Sequence, residues 1–490
     1  MTTLAKKSTL IFYGIGSLPS AVKGNLLGAP IFFYYNNVLG LEAWLVSLAL
    51  AIALMIDGVT DPLLGYASDY THSRFGRRHP YIYASIIPSA TCYFMLLMAD
   101  FGSSQTAMFF QLLLFMAILR LAWTFYQVPR EAFGAEISKD YTQRTQLHGL
   151  SSFFGWMGGA GIAYATSAYF LGDSYSNAEG YQKLAYWGSG IILVTSIIFA
   201  VGTSSEIPNL EKPKSRPPTS MKGILSEIFT TLNHKSWLML FLSGVVFSIY
   251  IGLTSGLTFY FNSYFWDWKP SDVAIFAIID LVAALIISAM AGPLAARFDK
   301  KRLAVTLFIA AIAIGPMIFL LRLLDIYWGV SILPQNGEQY GPLWWVMMIH
   351  SLIAASTGVL AFILVGSMTA DVVEDSQTKT GQRQEGLFFA GPHLIQKAIS
   401  GIGLMIKGLI LTLVGFSATA PEAEKILAIQ ELAIVVVVLA IILPSISLFL
   451  LSRYEITRSV HESNLDELGY GNAEGDAKGE NVKGNGMLAD

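Results

Sequence analysis

Long apolar runs, each long enough to cross the hydrocarbon of a bilayer, alternate with short polar joints along almost the whole of this chain. A membrane helix needs about 20 predominantly apolar residues. The pattern predicts twelve, at 9–39, 42–68, 80–100, 105–134, 149–171 and 184–203, then at 236–264, 272–296, 303–324, 342–370, 387–416 and 427–452. Six lie on each side of a polar stretch containing Glu211-Lys-Pro-Lys-Ser-Arg-Pro-Pro218, where proline and charge defeat helix and strand alike. The predicted organisation is an N-terminal six-helix bundle over 1–203, a cytoplasmic linker over 204–235 and a C-terminal six-helix bundle over 236–455. A cytoplasmic tail, 456–490, is expected to be disordered, because it is rich in Gly, Asn, Asp, Glu and Lys and poor in apolar residues.

Composition agrees with lipid as the solvent. Of 490 residues, 54% are hydrophobic and only 13% charged, and mean hydropathy is +0.54; a soluble domain carries about 25% charged residues. The net charge of −3 argues against nucleic acid as a partner. One cysteine, Cys92, excludes an intramolecular disulfide and a thiolate metal centre. Lys6 and Lys7 precede an apolar stretch longer than a signal core and without a small-residue cleavage site, so the first helix is expected to act as an uncleaved anchor. Assigning alternate loops to opposite sides gathers Lys and Arg on the side of the termini: Arg74, Arg77 and Arg78; Lys139 and Arg144; Lys212, Lys214 and Arg216; Arg297, Lys300, Lys301 and Arg302. Both termini are therefore expected in the cytoplasm and the chain in the cell's inner membrane.

Charges inside spans cost about 2.5–3.5 kcal/mol each on insertion scales, which makes each a functional hypothesis. The first half carries Lys23, Asp57, Asp61, Arg120, Arg130 and Glu131; the second carries Asp280, Lys397 and Lys407. Asp280 and Lys407 have an equally good bland reading, as structural pairs or snorkelling side chains. Asp57 and Asp61 are spaced by four, which puts both carboxylates on one face of the second helix, one turn apart. Two such carboxylates cannot both stay ionised in a dry cavity without a cation between them or a proton on one. Pro62 lacks an N–H and so frees backbone carbonyl oxygen nearby. Oxygen ligands suit Na⁺, and the same arrangement can carry H⁺. A bland alternative neutralises the pair with Lys23 or Lys397 and no ion.

An intramembrane aspartyl hydrolase is a remote alternative, since dyads that share a proton usually come from separate segments. Two half-motifs suggest parallel repeats: Gly65-Tyr-Ala-Ser-Asp69 with Arg74-Phe-Gly-Arg-Arg78, and Gly292-Pro-Leu-Ala-Ala-Arg297-Phe-Asp299. In the first, Asp69 is expected to pair with a following arginine as a latch.

Together these residues resemble the major facilitator superfamily and, within it, the glycoside–pentoside–hexuronide:cation symporters, the family of the melibiose carrier. The resemblance rests on Asp57-Gly-Val-Thr-Asp61-Pro62-Leu-Leu-Gly65 with Asp69 and Ser73-Arg74-Phe-Gly76-Arg77-Arg78. It continues through Val128-Pro129, Ala132, Glu136, Asp140-Tyr141 and Arg144-Thr145. It ends on Asp371, Gly381-Gln-Arg383-Gln-Glu385-Gly386 and Gln396-Lys397. It implies an all-α membrane protein with the major facilitator fold, twelve helices in two six-helix bundles. It also implies a cation site at Asp57, Asp61 and Thr124, to which Gln127 is assigned as the fourth residue. Lys397 becomes a coupling lysine facing that site, and Asp69, Arg74, Arg77, Arg78, Arg383 and Glu385 a cytoplasmic gate.

The family's sugar anchors are altered here. Ala21, Gln127, Glu131 and Ser152 stand where the melibiose carrier has an aspartate, an aspartate, a tryptophan and an arginine. Lys23, Asn25, Arg120, Arg130 and Glu131 are therefore the candidate solute residues, with Glu131 rather than Arg130 facing the cavity. The expected activity is Na⁺- or H⁺-coupled symport of a sugar or glycoside by a monomer. A cation-coupled carrier of an amphiphile such as a lysolipid is the runner-up, because certain animal relatives also lack the first-helix aspartate. No cofactor is expected beyond the coupling cation, and no catalytic residue.

Overall fold

A computed structural model describes residues 5–137, 141–210, 234–334, 339–380 and 385–468. They form twelve helical rods. Helix 1 is broken into Lys7–Ile15, Leu18–Leu27 and Ala29–Phe33 and closes on a π turn, Tyr34–Val38. Helices 2, 3 and 4 are Ala43–Tyr70, His79–Met98 and Gln105–Ile137. Helix 5 is Tyr141–Ala165 with a π turn Thr166–Leu171, and helix 6 is Ala178–Gly202. Helix 7 is broken like helix 1, into Lys235–Thr254 and Thr258–Tyr260 with a closing π turn Phe261–Phe265. Helix 8 is Pro270–Val273 and Phe276–Arg297, and helix 9 is Lys300–Ile314 and Met317–Trp328. Helices 10, 11 and 12 are Pro342–Thr380, Glu385–Leu413 and Glu422–Ser452.

Among the described residues, nine of these helices are long and apolar enough to cross a membrane. Helices 1, 5 and 11 fall outside that set. Gly16 and Gly28 interrupt helix 1, helix 5 carries Gly155, Gly158, Gly159 and Gly161, and the apolar part of helix 11 is the shorter Ile399–Leu413. The outer surface is that of a protein solvated by lipid. Only 17% of the apolar window of helix 10 is buried, and Phe362, Trp345 and Ile349 on it face outward.

Two features correct the expected boundaries. The stretch after helix 6 begins with a 3₁₀ turn, Ser204–Asn209, and Lys212, Lys214 and Arg216 lie outside the described residues. The tail does not begin as disordered chain: Arg458–Glu467 is helical and packs on helix 10. Asn464 donates to Asp375 at 3.2 Å, and His461 Nδ1 lies 3.0 Å from Glu374. Polar composition hid this helix because polar partners on helix 10 hold it.

Across the halves, helix 2 packs on helix 11 and helix 5 on helix 8. The contact of helix 2 runs through Ser47 against Gly408 and through Ala51 and Leu54 against Gly401. Further along, Val59, Leu63 and Tyr66 are 63%, 60% and 54% exposed, toward the end that carries the basic loops.

The opposite end is sealed. Tyr260 donates to Asn36 Oδ1 at 2.7 Å, Tyr264 to Asn37 Oδ1 at 2.8 Å, and Asn262 to the Tyr175 hydroxyl at 2.9 Å. Phe33 packs edge-on against Tyr260 and Phe259. The breaks of helices 1 and 7 meet here. Gly256 has φ +84°, and a Cβ on it would lie 2.9 Å from the Gly28 carbonyl, so both the backbone conformation and the space require glycine.

Each of these hydrogen bonds contributes about 0.5–1.5 kcal/mol net. Tyr260→Phe combined with Tyr264→Phe is therefore expected to shift the balance roughly tenfold toward molecules open at this end. Spin labels on Asp173→Cys and Lys269→Cys, whose side chains form an ion pair at 3.4 Å, report it as a longer distance; an unchanged distribution counts against the seal.

Candidate functional site

Four residues of helix 4, Arg120, Thr124, Gln127 and Glu131, are spaced so that they form one stripe along the helix. The stripe faces helices 1 and 2. Arg120 Nη1 donates to Asp57 Oδ2 at 2.7 Å, and the pair is almost wholly withdrawn from solvent. One turn on, Thr124 Oγ1 donates to Asp61 Oδ1 at 2.8 Å and lies 3.2 Å from Thr60 Oγ1. Pro62 sits inside helix 2, so the Gly58 carbonyl has no N–H of residue 62 to accept from. The two carboxylates and two hydroxyls offer oxygen ligands only. This set fits a hard monovalent cation.

The sequence expectations divide here. Asp57, Asp61 and Thr124 come together as expected, and Thr60 joins them. Gln127 does not join: it accepts from Ser20 Oγ at 3.2 Å and donates to Glu131, so both ends of its amide are engaged away from the aspartates. Lys23 lies over the Trp123 ring at 4.2 Å. Asn25 is half-buried, and its enclosed Oδ1 has no hydrogen-bond partner among the described residues. Glu131 is exposed on the stripe.

Arg130 corrects an expectation more sharply. It is buried, its Nη2 donates to the Tyr13 carbonyl at 3.0 Å, Ser17 Oγ at 2.7 Å and Ser151 Oγ at 2.8 Å, and its guanidinium lies over the Tyr13 ring at 4.5 Å. It pins helices 1, 4 and 5 together, and none of those contacts is with an acid. The side chain of Lys397 lies outside the described residues, as do that of Glu385 and the whole of Arg383.

The other intramembrane charges are settled by plain contacts. Asp280 accepts from Ser351 Oγ at 2.8 Å. Lys407 does not snorkel, and among the described residues it meets no acid: it is buried, donates to the Ser255 carbonyl at 2.7 Å and lies 3.9 Å over the Phe32 ring.

At the basic end, Arg78 ties the N-terminal half together. It bonds Asp69, Ser68 Oγ at 2.6 Å and Glu136 Oε1 at 2.9 Å, and Arg77 reaches Glu136 at 2.8 Å. Glu136, on helix 4, is the anchor that the sequence reading left out of the gate, although the motif around Val128-Pro129 contained it. Arg74 stands apart, over the Phe75 ring at 4.7 Å. The second half has its own cluster, with Lys300 on Asp371 at 2.7 Å and His234 on Asp375 at 2.7 Å.

Two bundles of membrane helices, sealed at one end and carrying acidic and basic side chains between helices 2 and 4, define a membrane transporter of the major facilitator type. The chain belongs to the family described as MFS/sugar transport protein, whose model matches residues 12–458. It is similar to the putative glycoside/cation symporter YagG of Escherichia coli (strain K12), at 24% identity over 93% of each chain. It is also similar to the sodium-dependent lysophosphatidylcholine symporter 1 of Gallus gallus, at 22% identity over 82% of this chain and 78% of that one. In fold it resembles the crystal structure of a point mutant of the nucleoside transporter NupG, with a TM-score of 0.63 and 15% identity, covering 91% of this chain and all of that one. The protein is thus a multi-pass membrane transporter, and not an enzyme.

Proposed function

We propose that the protein carries out cation-coupled symport of a sugar or glycoside by alternating access, with both termini in the cytoplasm of an inner-membrane monomer. The observation that carries this reading is the oxygen set of Asp57, Asp61, Thr60 and Thr124, held beside a polar stripe on helix 4. A cation here neutralises the aspartates and organises the stripe for solute, so each ligand raises the affinity for the other. The basic end is then the cytoplasmic one, and the conformation seen is the inward-facing one. Na⁺ and H⁺ both suit the site: an oxygen cage takes the first and a carboxylate the second. The names of the family and of the glycoside/cation symporter support a sugar. The lysolipid symporter makes an amphiphile the second reading, favoured by the absence of an acid at Ala21.

Uptake in proteoliposomes decides between the two, using a radiolabelled panel of mono- and disaccharides beside lysophosphatidylcholine, with Na⁺ and pH gradients imposed separately. Sugar uptake driven by either gradient supports the reading; gradient-driven lysolipid uptake without sugar uptake replaces it. Within it, Glu131 is the solute carboxylate, since it is exposed on the stripe and placed by Gln127. Glu131→Gln is expected to weaken binding of the transported sugar by roughly tenfold, about 1.4 kcal/mol. Unchanged affinity moves the solute site toward Lys23 and Asn25.

A further inference from the structure

An arginine at the middle of a membrane helix, ion-paired to one of the two aspartates assigned to the cation, is more than a polar lining residue. The geometry points to Arg120 as a tethered cation that occupies Asp57 when the coupling cation is absent and is displaced when it binds. This rests on the symport reading above and adds to it the residue that makes cation and solute binding interdependent.

Three observations carry it. Arg120 holds Asp57 through a single bond, Nη1 to Oδ2 at 2.7 Å, so the guanidinium fork is not matched two-to-two with the carboxylate. Among the described residues its buried Nε has no hydrogen-bond partner, which leaves the group incompletely satisfied where it stands. Asp57 itself is buried, so whatever neutralises it must come from within the site or enter it.

Arginine keeps its charge at any physiological pH, so it leaves Asp57 by moving and not by losing a proton. A metal cation entering between Asp57 and Asp61 takes over the first carboxylate's charge and releases the guanidinium. Arg120 shares the stripe with Glu131, so its freed donors face the path of the solute, where they bond hydroxyls. Occupancy by cation thereby creates solute-binding capacity, and solute that engages Arg120 keeps it off Asp57.

The test uses the full chain in detergent with Na⁺ as the probe. Calorimetric titration with NaCl is compared between wild type, Arg120→Gln and Arg120→Gln combined with Asp57→Asn. Arg120→Gln is expected to bind Na⁺ roughly tenfold tighter or more, and the added Asp57→Asn to cancel the gain. A second measurement needs no variant: phenylglyoxal labelling of Arg120 in wild type, read by mass spectrometry, is expected to rise when NaCl replaces choline chloride. Equal or weaker Na⁺ binding in Arg120→Gln, or labelling indifferent to Na⁺, overturns the proposal. Gradient-driven sugar uptake by wild type distinguishes that failure from failure of the symport reading, which it tests separately.

Discussion

Asp57→Asn and Asp61→Asn are each expected to abolish gradient-driven accumulation of solute while leaving the folded protein intact. Each removes one of the two carboxylate charges on which a bound cation depends, and replaces it by an amide of the same shape. The Coulomb energy of a unit charge about 4 Å away is roughly 4 kcal/mol at the effective dielectric of a partly buried site. Its loss weakens cation binding by more than a hundredfold. The two variants are not expected to behave identically. Asp57→Asn also strands Arg120, whose one ion pair among the described residues is with Asp57, and so leaves its guanidinium without that acid. Asp61→Asn keeps the bond from Thr124 to a side-chain oxygen and leaves the Arg120–Asp57 pair in place. Solute exchange without a gradient, which needs binding but no coupling, is expected to survive better in Asp61→Asn. Concentrative uptake at the wild-type level in the double variant would remove the cation from these aspartates altogether.

The second large effect is on stability. Arg130→Gln is expected to lower stability by about 2–5 kcal/mol, because it removes charge-assisted bonds to the Tyr13 carbonyl, Ser17 and Ser151 and leaves the two hydroxyls with each other alone among these contacts. Gln is too short to restore all three contacts. The change reads as a lower thermal midpoint in detergent, followed by size-exclusion chromatography, with little change in solute affinity in the fraction that folds. An unshifted midpoint together with lost affinity would return Arg130 to the solute site.

The contrast between Arg130 and its neighbour Glu131 shows where the sequence was legible. Apolar run length located the twelve helical rods, although among the described residues only nine of them are long and apolar enough to cross a membrane. The i,i+4 spacing of Asp57 and Asp61 placed both carboxylates on one face, and the same arithmetic links Arg120, Thr124 and Glu131 on helix 4. It separates Arg130 from that stripe but cannot say whether the off-stripe face meets solute or neighbouring helices, and here it meets helices 1 and 5.

Gln127 shows a similar limit. It lies on the right face, yet its amide is drawn to Ser20 and Glu131 by ordinary hydrogen-bond competition. The seal was not legible at all. Tyr260, Tyr264, Asn36 and Asn37 sit at the ends of apolar runs, where aromatics are also expected at a lipid–water boundary. Only the breaks at Gly28 and Gly256, which turn both runs toward one another, give them their role. The helix Arg458–Glu467 escaped because its partners are charged groups of helix 10, far off in sequence.

The most direct test is the steady-state accumulation ratio of a transported sugar in proteoliposomes that hold a cation gradient, before and after an ionophore collapses it. Coupled transport through Asp57 and Asp61 requires a ratio well above one that falls to one on collapse, and a ratio of one throughout in Asp61→Asn. A wild-type ratio of one with the gradient intact, at an uptake rate above that of empty liposomes, would make the protein a facilitator and contradict the coupling.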